Sequence, residues 1–544
     1  MLKMGFRFVI VFCLTFGILV RFVNLGGKVY WHDETYTSLR VSGYTTAEYV
    51  EDIFDGQVRD VREISQYQRL RPDSTFKDTI AALAIDNPQH PPLYYVLARF
   101  WVDGIGDSVV KIRSLSAIIS LFVFPAIYWL CWELFESDKI KISQTGNRLR
   151  SILRLNENRV GWMAIALLAI SPFHLLYAQE ARQYSLWIVL ILLSSAALLR
   201  AMRKADCDED SWFDWGLYSL MLVSGFYTFL FHGLVAIGHG IYVLGTERLR
   251  WTPKLQRHLI YTAISVFAFL PWIGVFWVNY EQFDKTISWT EQSHFSSLKL
   301  LDFLLVNISK IFADFDVGFY FIDTNIAKSV VFLALGYSLY CMSRRASPKV
   351  RWFLWTLVSV TIVFLLGPDL ILGGIRSLST RYLIPSLLAF HLVLAWAIEK
   401  LIFNKNFWQQ KLGLAIALIF GLAGISSCLF ISQSHSSWMK VVSSNLPKAA
   451  RVVNASDAPL LLGNHNSTNP GNILALSYLL QDKVKVQLFL EGEIPQIPEE
   501  FDNIFLFGYS EHPVSQLETQ QNLQSQWIVG DNYFSLWQFV KNSG

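Results

Sequence analysis

Two adjacent carboxylates, Asp33 and Glu34, follow the first apolar segment of the chain and lie among aromatic residues. The run from Phe6 to Leu25 is apolar and long enough to cross a bilayer, so both acids are expected at the membrane surface. One carboxylate at such a position can act as a general base or bind a cation while its neighbour orients it. The alternative is an acidic cap on the following helix.

Three further clusters of polar residues interrupt the apolar chain. Ionisable groups at a bilayer edge are costly unless they are used, so clusters on one predicted side of the membrane favour an outward-facing functional site. We predict that they bind substrate through His90, His174, Glu180, Arg182, Tyr184, Arg376, Arg381 and Tyr382.

The two arginines of the third cluster suit a phosphate ligand. A guanidinium group donates paired hydrogen bonds and stays charged at any relevant pH, which favours Arg376 and Arg381 as phosphate ligands. Snorkelling of these side chains towards lipid headgroups is the alternative. Glu180 and Arg182 are two residues apart, so on a regular helix each needs a separate partner, and a salt bridge to another helix is their structural interpretation.

Metal binding is a further hypothesis for the histidines. His90 and His174 could join Asp33 or Glu34 in a site for a divalent metal ion, although lone histidines are more often ordinary hydrogen-bonding residues. The five cysteines are scattered and have no CxxC spacing, so neither a disulfide framework nor a thiolate metal site is expected.

The composition predicts a polytopic membrane protein. Of the 544 residues, 53% are hydrophobic and only 16% are charged, and the mean hydropathy is +0.34. This is too apolar for a soluble protein of average composition. The basic residues are concentrated in particular loops, so no nucleic acid is expected as a partner. Lys3 and Arg7 precede the first apolar run, which lacks a small-residue cleavage site and is interpreted as a retained helix.

The apolar runs predict about eleven transmembrane helices. Residues 137–160 and 343–351 are rich in Lys and Arg and are therefore predicted to be cytoplasmic, together with the N-terminus. The large first loop, residues 26–110, is predicted to lie outside and to contain short interfacial helices. A second external loop, residues 279–325, is long enough to cover a substrate site. The predicted spans are approximately residues 6–25, 111–134, 160–171, 186–199, 215–229, 233–244, 259–278, 326–342, 352–366, 382–402 and 412–431.

From about Gln433 the composition changes to that of a soluble domain. Short β-rich runs alternate with helical patterns, which predicts a small extracytoplasmic α/β domain over residues 433–544. An accessory or acceptor-binding role is expected for it. The predicted strands are residues 459–463, 484–490, 503–508, 526–529 and 533–539, and the predicted helices are residues 473–481 and 514–525.

Residues 1–432 resemble a known family, the GT-C integral-membrane glycosyltransferases. Within it, the dolichyl-phosphate-mannose protein mannosyltransferases and the bacterial aminoarabinose lipid A transferases (glycosyltransferase family 39-like) are the most similar branch. The order of several motifs carries the resemblance, since each motif alone is weak. These motifs are Asp33-Glu34, His90-Pro91-Pro92-Leu93-Tyr94-Tyr95, Ser171-Pro172-Phe173-His174, Gln179-Glu180-Ala181-Arg182-Gln183-Tyr184 and Arg381-Tyr382-Leu383-Ile384-Pro385.

The resemblance implies a GT-C fold and transfer of a sugar, usually with inversion, from a polyprenyl-phosphate donor on the external face. In that reading Asp33 is the general base for an acceptor hydroxyl, with Glu34 beside it, and Arg376 and Arg381 hold the departing phosphate. The chain has no Gly-rich nucleotide loop, which agrees with a lipid carrier for the sugar. The C-terminal segment differs from the repeat domain of the eukaryotic protein mannosyltransferases, so the acceptor is open between a lipid, a glycan and a protein.

Two other functions use the same residue types. A lipid or glycolipid transporter would need a charged cavity without making a bond, but it predicts broken spans and acids near the bilayer midplane. Here the charges cluster at one predicted interface and the external loops are long. An inactive relative that binds polyprenyl lipids is the third interpretation.

Overall fold

In the computed structural model the chain forms two compact units. The first consists of Met1–Val23, Asn87–Tyr94 and Ser114–Ser432. The second consists of Asn24–Asp86, Tyr95–Arg113 and Gln433–Gly544, so it combines most of the large first loop with the C-terminal segment. The residues that the structure describes are 2–136, 158–207, 211–291, 295–315, 324–436, 442–466, 469–508 and 512–541.

The first unit is helical. Two further helices, Leu93–Ile105 and Val109–Leu121, each have residues in both units. The other helices are Leu2–Val20, Val123–Cys131, Arg159–Ala169, Pro172–Ala178, Tyr184–Ala205, Trp212–Phe226, His232–Thr246, Pro253–Val278, Tyr280–Ile287, Ser297–Lys310, Thr324–Arg345, Pro348–Ile371, Ile384–Ile402 and Phe407–Gln433.

The helices of the first unit confirm an integral membrane protein. Among the described residues, seven helices are long and apolar enough to cross a membrane, and one bent pair is an eighth candidate. Each predicted span corresponds to a helix, but the helices Trp212–Phe226 and His232–Thr246 have only 15 residues each. The count of about eleven spans therefore stays a prediction.

Two predicted loops lie partly outside the described residues. They are residues 137–157 of the basic cytoplasmic loop and residues 292–294 and 316–323 of the external loop. The first apolar helix ends at Val20, five residues before the predicted end of the span at Leu25.

A sharp bend positions one of the predicted substrate-binding segments. The helices Arg159–Ala169 and Pro172–Ala178 meet at 66°. Pro172 has no backbone N–H to donate and therefore begins a new helix instead of continuing the first. The short second helix ends at Gln179, and residues 179–183 form a buried connection to the long helix Tyr184–Ala205.

The second unit is built on a six-stranded sheet with the order β1-β3-β2-β4-β6-β5. The central strand β2 is parallel to β3 and β4, whereas the outer pairs β1–β3, β4–β6 and β5–β6 are antiparallel. Every residue of β2 is buried, as expected for a strand covered on both faces. The strands are Val58–Asp60 (β1), Leu460–Asn464 (β2), Lys485–Phe489 (β3), Ile504–Gly508 (β4), Leu523–Gly530 (β5) and Ser535–Lys541 (β6).

The five predicted C-terminal strands correspond to β2 through β6. In place of the helix predicted over residues 514–525, the structure has the helix His512–Gln521, and β5 begins at Leu523. The strand β1 was not predicted. It comes from the large first loop and pairs with β3 through Val58 opposite Gln487, so this loop contributes to the C-terminal sheet in addition to forming helices.

Helices from both parts of the second unit cover the sheet. One buried core combines Trp31, Leu39 and Tyr49 of the first loop with C-terminal residues such as Leu446 and Phe505. Burial of this apolar surface ties the two segments of chain together. The helices of the unit are His32–Val41, Thr46–Ile53, Val61–Ser65, Phe76–Asp86, Leu446–Ala455, Asn469–Ser477 and His512–Gln521. We call His32–Val41 the acidic helix and Asn469–Ser477 the buttress helix.

Candidate functional site

The acidic helix carries Asp33 and Glu34 in its first turn. Trp31 precedes it in an extended conformation, with φ −89° and ψ 167°, and its backbone N–H donates to Glu34 Oε2 at 3.4 Å. An acid in the first turn satisfies an otherwise unpaired N–H group and interacts favourably with the positive end of the helix dipole. Local sequence thus explains why both acids begin this helix.

Glu34 is locked in a buried salt bridge with Arg113. The carboxylate is 0% exposed and the arginine 1%, and two hydrogen bonds of 2.6 and 2.8 Å join them. The same guanidinium donates to the backbone oxygens of Leu25, Lys28 and Val29 at 2.7–3.0 Å. A buried ion pair needs such additional hydrogen bonds to offset the loss of hydration. Glu34 therefore fixes the acidic helix in place.

Asp33 is in a different environment. Its side chain keeps 20% of its surface exposed, and Oδ1 lies 3.4 Å from His32 Nδ1. Asp33 is close enough to influence Tyr36. Burial raises the pKa of the Tyr36 phenol to about 12; Arg40 lowers this pKa, while the carboxylates of Asp86 and Asp33 raise it. Tyr36 is therefore protonated at neutral pH, and Asp33 is the accessible carboxylate of the pair.

The buttress helix packs directly against the acidic helix. Thr35 Oγ1 donates to the carbonyl oxygen of Gly471 at 3.2 Å. A Cβ atom at position 471 would lie 2.5 Å from the ring of His32 and 2.8 Å from the ring of Tyr36, so only glycine allows this approach. The C-terminal segment consequently helps to position Asp33, a role that the sequence analysis did not predict.

In the first unit, His90 lies between Arg182 and Gln183. The ring nitrogen Nε2 is 3.1 Å from a terminal nitrogen of Arg182, and Nδ1 is 3.1 Å from the carboxamide of Gln183. A guanidinium can only donate, so Nε2 accepts and Nδ1 carries the hydrogen atom. The carboxamide nitrogen of Gln183 is the atom that lies 3.1 Å from Nδ1, and a 180° turn of this amide would present its oxygen to that hydrogen atom instead. Arg182 thereby fixes the tautomer of His90.

Phe229 joins these residues to the predicted aromatic ligands. Its ring stacks against His90 at 6.5 Å, meets Tyr184 edge-on at 5.8 Å and lies 6.1 Å from the ring of Tyr382. Phe229 was not predicted from the sequence, because a phenylalanine in an apolar segment carries no distinguishing signal. We call His90, Arg182, Gln183, Tyr184, Phe229 and Tyr382 the His90 cluster.

Two cations lie over aromatic rings in this region. The guanidinium carbon of Arg182 is 6.0 Å from the ring centroid of Tyr184, and that of Arg381 is 5.5 Å from the ring of Tyr382. Such contacts stabilise a guanidinium without neutralising its charge. These contacts place each guanidinium against an aromatic ring, Arg182 in a buried position and Arg381 in a partly exposed one.

Arg376 has acidic partners. Its guanidinium pairs with Glu291 at 2.6 Å and with Asp369 at 3.2 Å, and it also donates to the backbone oxygen of Gly373 at 2.9 Å. Asp369 is buried and accepts further hydrogen bonds from the backbone N–H groups of Arg376 and Ser377. These contacts hold the loop before the helix Ile384–Ile402 in its fold, and they neutralise the arginine that was predicted to bind phosphate.

Glu180 and His174 are both buried, in different surroundings. Glu180 lies in the connection 179–183, where the adjacent Gln179 side chain donates to the backbone oxygens of Val20 and Val23 at 3.0 and 2.9 Å. The His174 ring packs against His391, with centroids 5.1 Å apart. Ring contacts through Phe173 and Tyr177 also join His174 to Tyr184 of the His90 cluster. Among the described residues, no group of three or more His, Cys, Asp or Glu side chains could hold a metal ion.

The chain has the GT-C fold of integral-membrane glycosyltransferases, as its motifs indicated. Two crystal structures of ArnT from Cupriavidus metallidurans share it, one in the apo state and one bound to undecaprenyl phosphate. Their sequence identity to this chain is 10% and the TM-scores are 0.51 and 0.50. The alignments cover 97% and 98% of this chain and 97% of each neighbour.

The oligosaccharyltransferase of Archaeoglobus fulgidus, tethered with an acceptor peptide, aligns with a TM-score of 0.48 and 10% identity over 90% of this chain and 64% of its own. No family model matches the chain, and no curated protein matches its sequence. At 10% identity the similarity to ArnT shows a common fold. The roles of individual residues must come from their own geometry.

Proposed function

We propose that this protein is a membrane glycosyltransferase that moves a sugar from a polyprenyl-phosphate donor to an acceptor hydroxyl. The GT-C fold that it shares with an ArnT structure bound to undecaprenyl phosphate supports the donor class. The choice of the catalytic residue rests on the different surroundings of the two acids. Glu34 forms a buried salt bridge with Arg113, whereas the side chain of Asp33 is 20% exposed.

Asp33 is the general base of this reaction. Its carboxylate takes the proton of the acceptor hydroxyl while the hydroxyl oxygen bonds to the anomeric carbon of the sugar. The bond from that carbon to the phosphate oxygen breaks, and the polyprenyl phosphate leaves with the electron pair. Attack from the face opposite the leaving group inverts the anomeric configuration.

Arg182 and Arg381 stabilise the departing phosphate. Each guanidinium lies over an aromatic ring, that of Tyr184 or Tyr382, and an arginine offers paired donors and a positive charge to a developing anion. His90 orients Arg182 through its Nε2 atom. We assign Arg376 to holding its loop, because it pairs with Glu291 and Asp369.

The remaining predicted residues have positioning roles in this proposal. Glu180 keeps the charge balance of the connection 179–183, and His174 supports the helix Pro172–Ala178 from which that connection starts. A divalent metal ion was a further expectation. The described residues do not form a group of ligands that fits one, so no step uses it. The acceptor is a lipid, a glycan or a protein.

The proposed orientation places the N-terminus in the cytoplasm and the second unit outside. It follows from the basic segments 137–160 and 343–351. Single cysteines introduced as Gln520→Cys and Thr145→Cys test it with a membrane-impermeant thiol reagent on intact cells. Labelling at position 520 with protection at position 145 is expected, and the reverse pattern contradicts the orientation.

Mass spectrometry of the cell envelope tests the proposed function. Glycolipids and glycoproteins are compared between cells with the chain, cells without it and cells that express Asp33→Asn. We expect one class of envelope molecule to lose a sugar in both deficient strains. An intact glycan profile in the strain without the chain rules out transfer, and a sugar that disappears without the chain but persists with Asp33→Asn indicates a transporter.

A further inference from the structure

The second unit contains a cleft of about 710 Å³. Its lining residues come from three segments: some lie within residues 61–69 of the first loop, others are residues 107–109, and the rest lie within residues 477–482 of the C-terminal segment. This volume lies within the usual range of small-molecule binding sites, roughly 300–1,000 Å³. All of the lining residues belong to one compact unit, the same one that contains the acidic helix. We define the cleft by Arg62, Gln66, Gln68, Arg69, Asp107 and Tyr478.

The lining of the cleft combines apolar and polar side chains, and its charges are balanced. Two arginines, Arg62 and Arg69, are matched by two carboxylates, Asp107 and Asp482. Arg62 already pairs with Asp482, its Nε lying 3.1 Å from Oδ1. Serine hydroxyls and glutamine carboxamides supply further donors and acceptors. A lining without net charge favours a neutral polar ligand over a phosphate or a cation.

Gln68 is the unusual residue of the cleft. Its side chain is only 2% exposed, and neither atom of its carboxamide has a hydrogen-bond partner among the described residues. A buried amide without partners is destabilising, so such a group is rare unless another molecule satisfies it. The carboxamide offers a donor and an acceptor side by side, which matches the paired hydroxyls of a sugar ring.

Tyr478 supplies an aromatic surface beside these polar groups. Burial raises the pKa of its phenol, and Asp107 acts in the same direction, so the hydroxyl stays protonated and can donate. Its ring meets Tyr30 edge-on with centroids 5.1 Å apart. The guanidinium of Arg113 lies 5.3 Å from the ring of Tyr30 and pairs with Glu34. Three side-chain contacts therefore connect the wall of the cleft to the residue next to Asp33.

We propose that this cleft is the acceptor subsite and that the acceptor carries a neutral glycan. The inference rests on the proposed function, which it extends by naming the chemical class of the acceptor. Three features of the cleft suit a neutral sugar. They are the lack of net charge in its lining, the unsatisfied carboxamide of Gln68 and the ring of Tyr478. The packed chain from Tyr478 to Glu34 links this subsite to the acidic helix.

Binding of free tetrasaccharides to the full-length protein in lipid nanodiscs tests the inference. Cellotetraose, chitotetraose and mannotetraose are the probes, and saturation-transfer NMR reports which of them binds. The informative variant is Gln68→Leu, because leucine fills a similar volume and removes the unsatisfied amide. We expect it to weaken the binding of the best tetrasaccharide at least tenfold while the protein becomes no less resistant to heat. The matched control is Gln520→Leu, at an exposed site on the helix His512–Gln521.

Ser65→Trp is a second variant that obstructs the cleft from its lining, and it is expected to have the same effect on tetrasaccharide binding. The inference is overturned if none of the three sugars binds the wild type, or if both cleft variants bind them as the wild type does. Undecaprenyl phosphate is titrated into the same samples. If the protein binds a tetrasaccharide but not undecaprenyl phosphate, the proposed function is wrong while the cleft remains a sugar site. If it binds undecaprenyl phosphate but no tetrasaccharide, only the inference about the cleft is wrong.

Discussion

In the second unit, Glu34 is fully buried in a salt bridge with Arg113, while Asp33, one residue earlier, keeps a fifth of its side chain exposed beside His32. The first unit shows a similar division between two arginines. Arg376 pairs with two carboxylates, whereas Arg182 contacts the His90 ring and the face of Tyr184.

Under the proposed function, Glu34 and Arg376 hold the fold, whereas Asp33 and Arg182 act on the substrate. A carboxylate or guanidinium already neutralised by a buried partner has little charge left to offer a reaction. The sequence alone ranks Asp33 with Glu34 and Arg376 with Arg381, and only their partners distinguish them.

The largest effect on stability is expected from Arg113→Met. It leaves the Glu34 carboxylate buried without its counter-charge and removes the donor to three backbone oxygens. Such a loss typically destabilises by about 3–5 kcal/mol. The measurement is the unfolding midpoint of the purified protein, with Arg71→Met as control, since Arg71 forms a half-exposed pair with Glu48. The double variant Glu34→Leu with Arg113→Met should recover part of the stability, and an unchanged midpoint in Arg113→Met would refute the structural role of the pair.

An intermediate effect is expected from Gly471→Ala. The new methyl group meets the rings of His32 and Tyr36, so the acidic helix must shift. Overpacking of this kind costs about 1–3 kcal/mol of stability, and a displacement of about 1 Å at a catalytic group can lower a rate roughly a hundredfold. Thermal unfolding and the transfer rate are measured together. Gly421→Ala is the matched control, because no atom lies within 4 Å of its added Cβ. Unchanged transfer in Gly471→Ala would show that the buttress helix does not position Asp33.

The smallest expected effect compares two conservative substitutions, Arg182→Lys and Arg376→Lys. Lysine keeps the charge but loses the forked donor geometry of the guanidinium. We expect Arg182→Lys to weaken the binding of undecaprenyl phosphate about tenfold, roughly 1.4 kcal/mol, because it holds the phosphate. Arg376→Lys should leave that affinity unchanged and lower only the stability of its loop. If only Arg376→Lys weakens the binding of undecaprenyl phosphate, Arg376 holds the phosphate, as the sequence first predicted, and Arg182 does not.

Much of the fold could be predicted because its signals are local. Apolar runs marked the membrane helices, whereas the 66° bend before Pro172 was not predicted. Alternation of β-rich runs and helical patterns marked five of the six strands. The strand β1 escaped prediction because it has only three residues, and its partner β3 is more than four hundred positions away in the chain.

The partners of the candidate residues could not be predicted for the same reason. Arg113 stands 79 positions from Glu34, at the start of an apolar helix where a single arginine is ordinarily read as a membrane-surface residue. Gly471 and Gln68 are ordinary residues in sequence, and their significance lies in a close approach and in an unsatisfied amide. Residue types suggested the chemistry, but long-range packing decided which residues are available for it.

A single-turnover assay tests whether Asp33 is the base in transfer from a polyprenyl-phosphate sugar. Wild type and Asp33→Asn are supplied with the same polyprenyl-phosphate sugar and with envelope extract from cells that lack the chain, and the release of polyprenyl phosphate is followed with time. We expect Asp33→Asn to release polyprenyl phosphate about a hundredfold to ten-thousandfold more slowly than the wild type, since the amide cannot accept a proton. Its binding of undecaprenyl phosphate should be unchanged. Release at the wild-type rate by Asp33→Asn would contradict the role of Asp33 as the base.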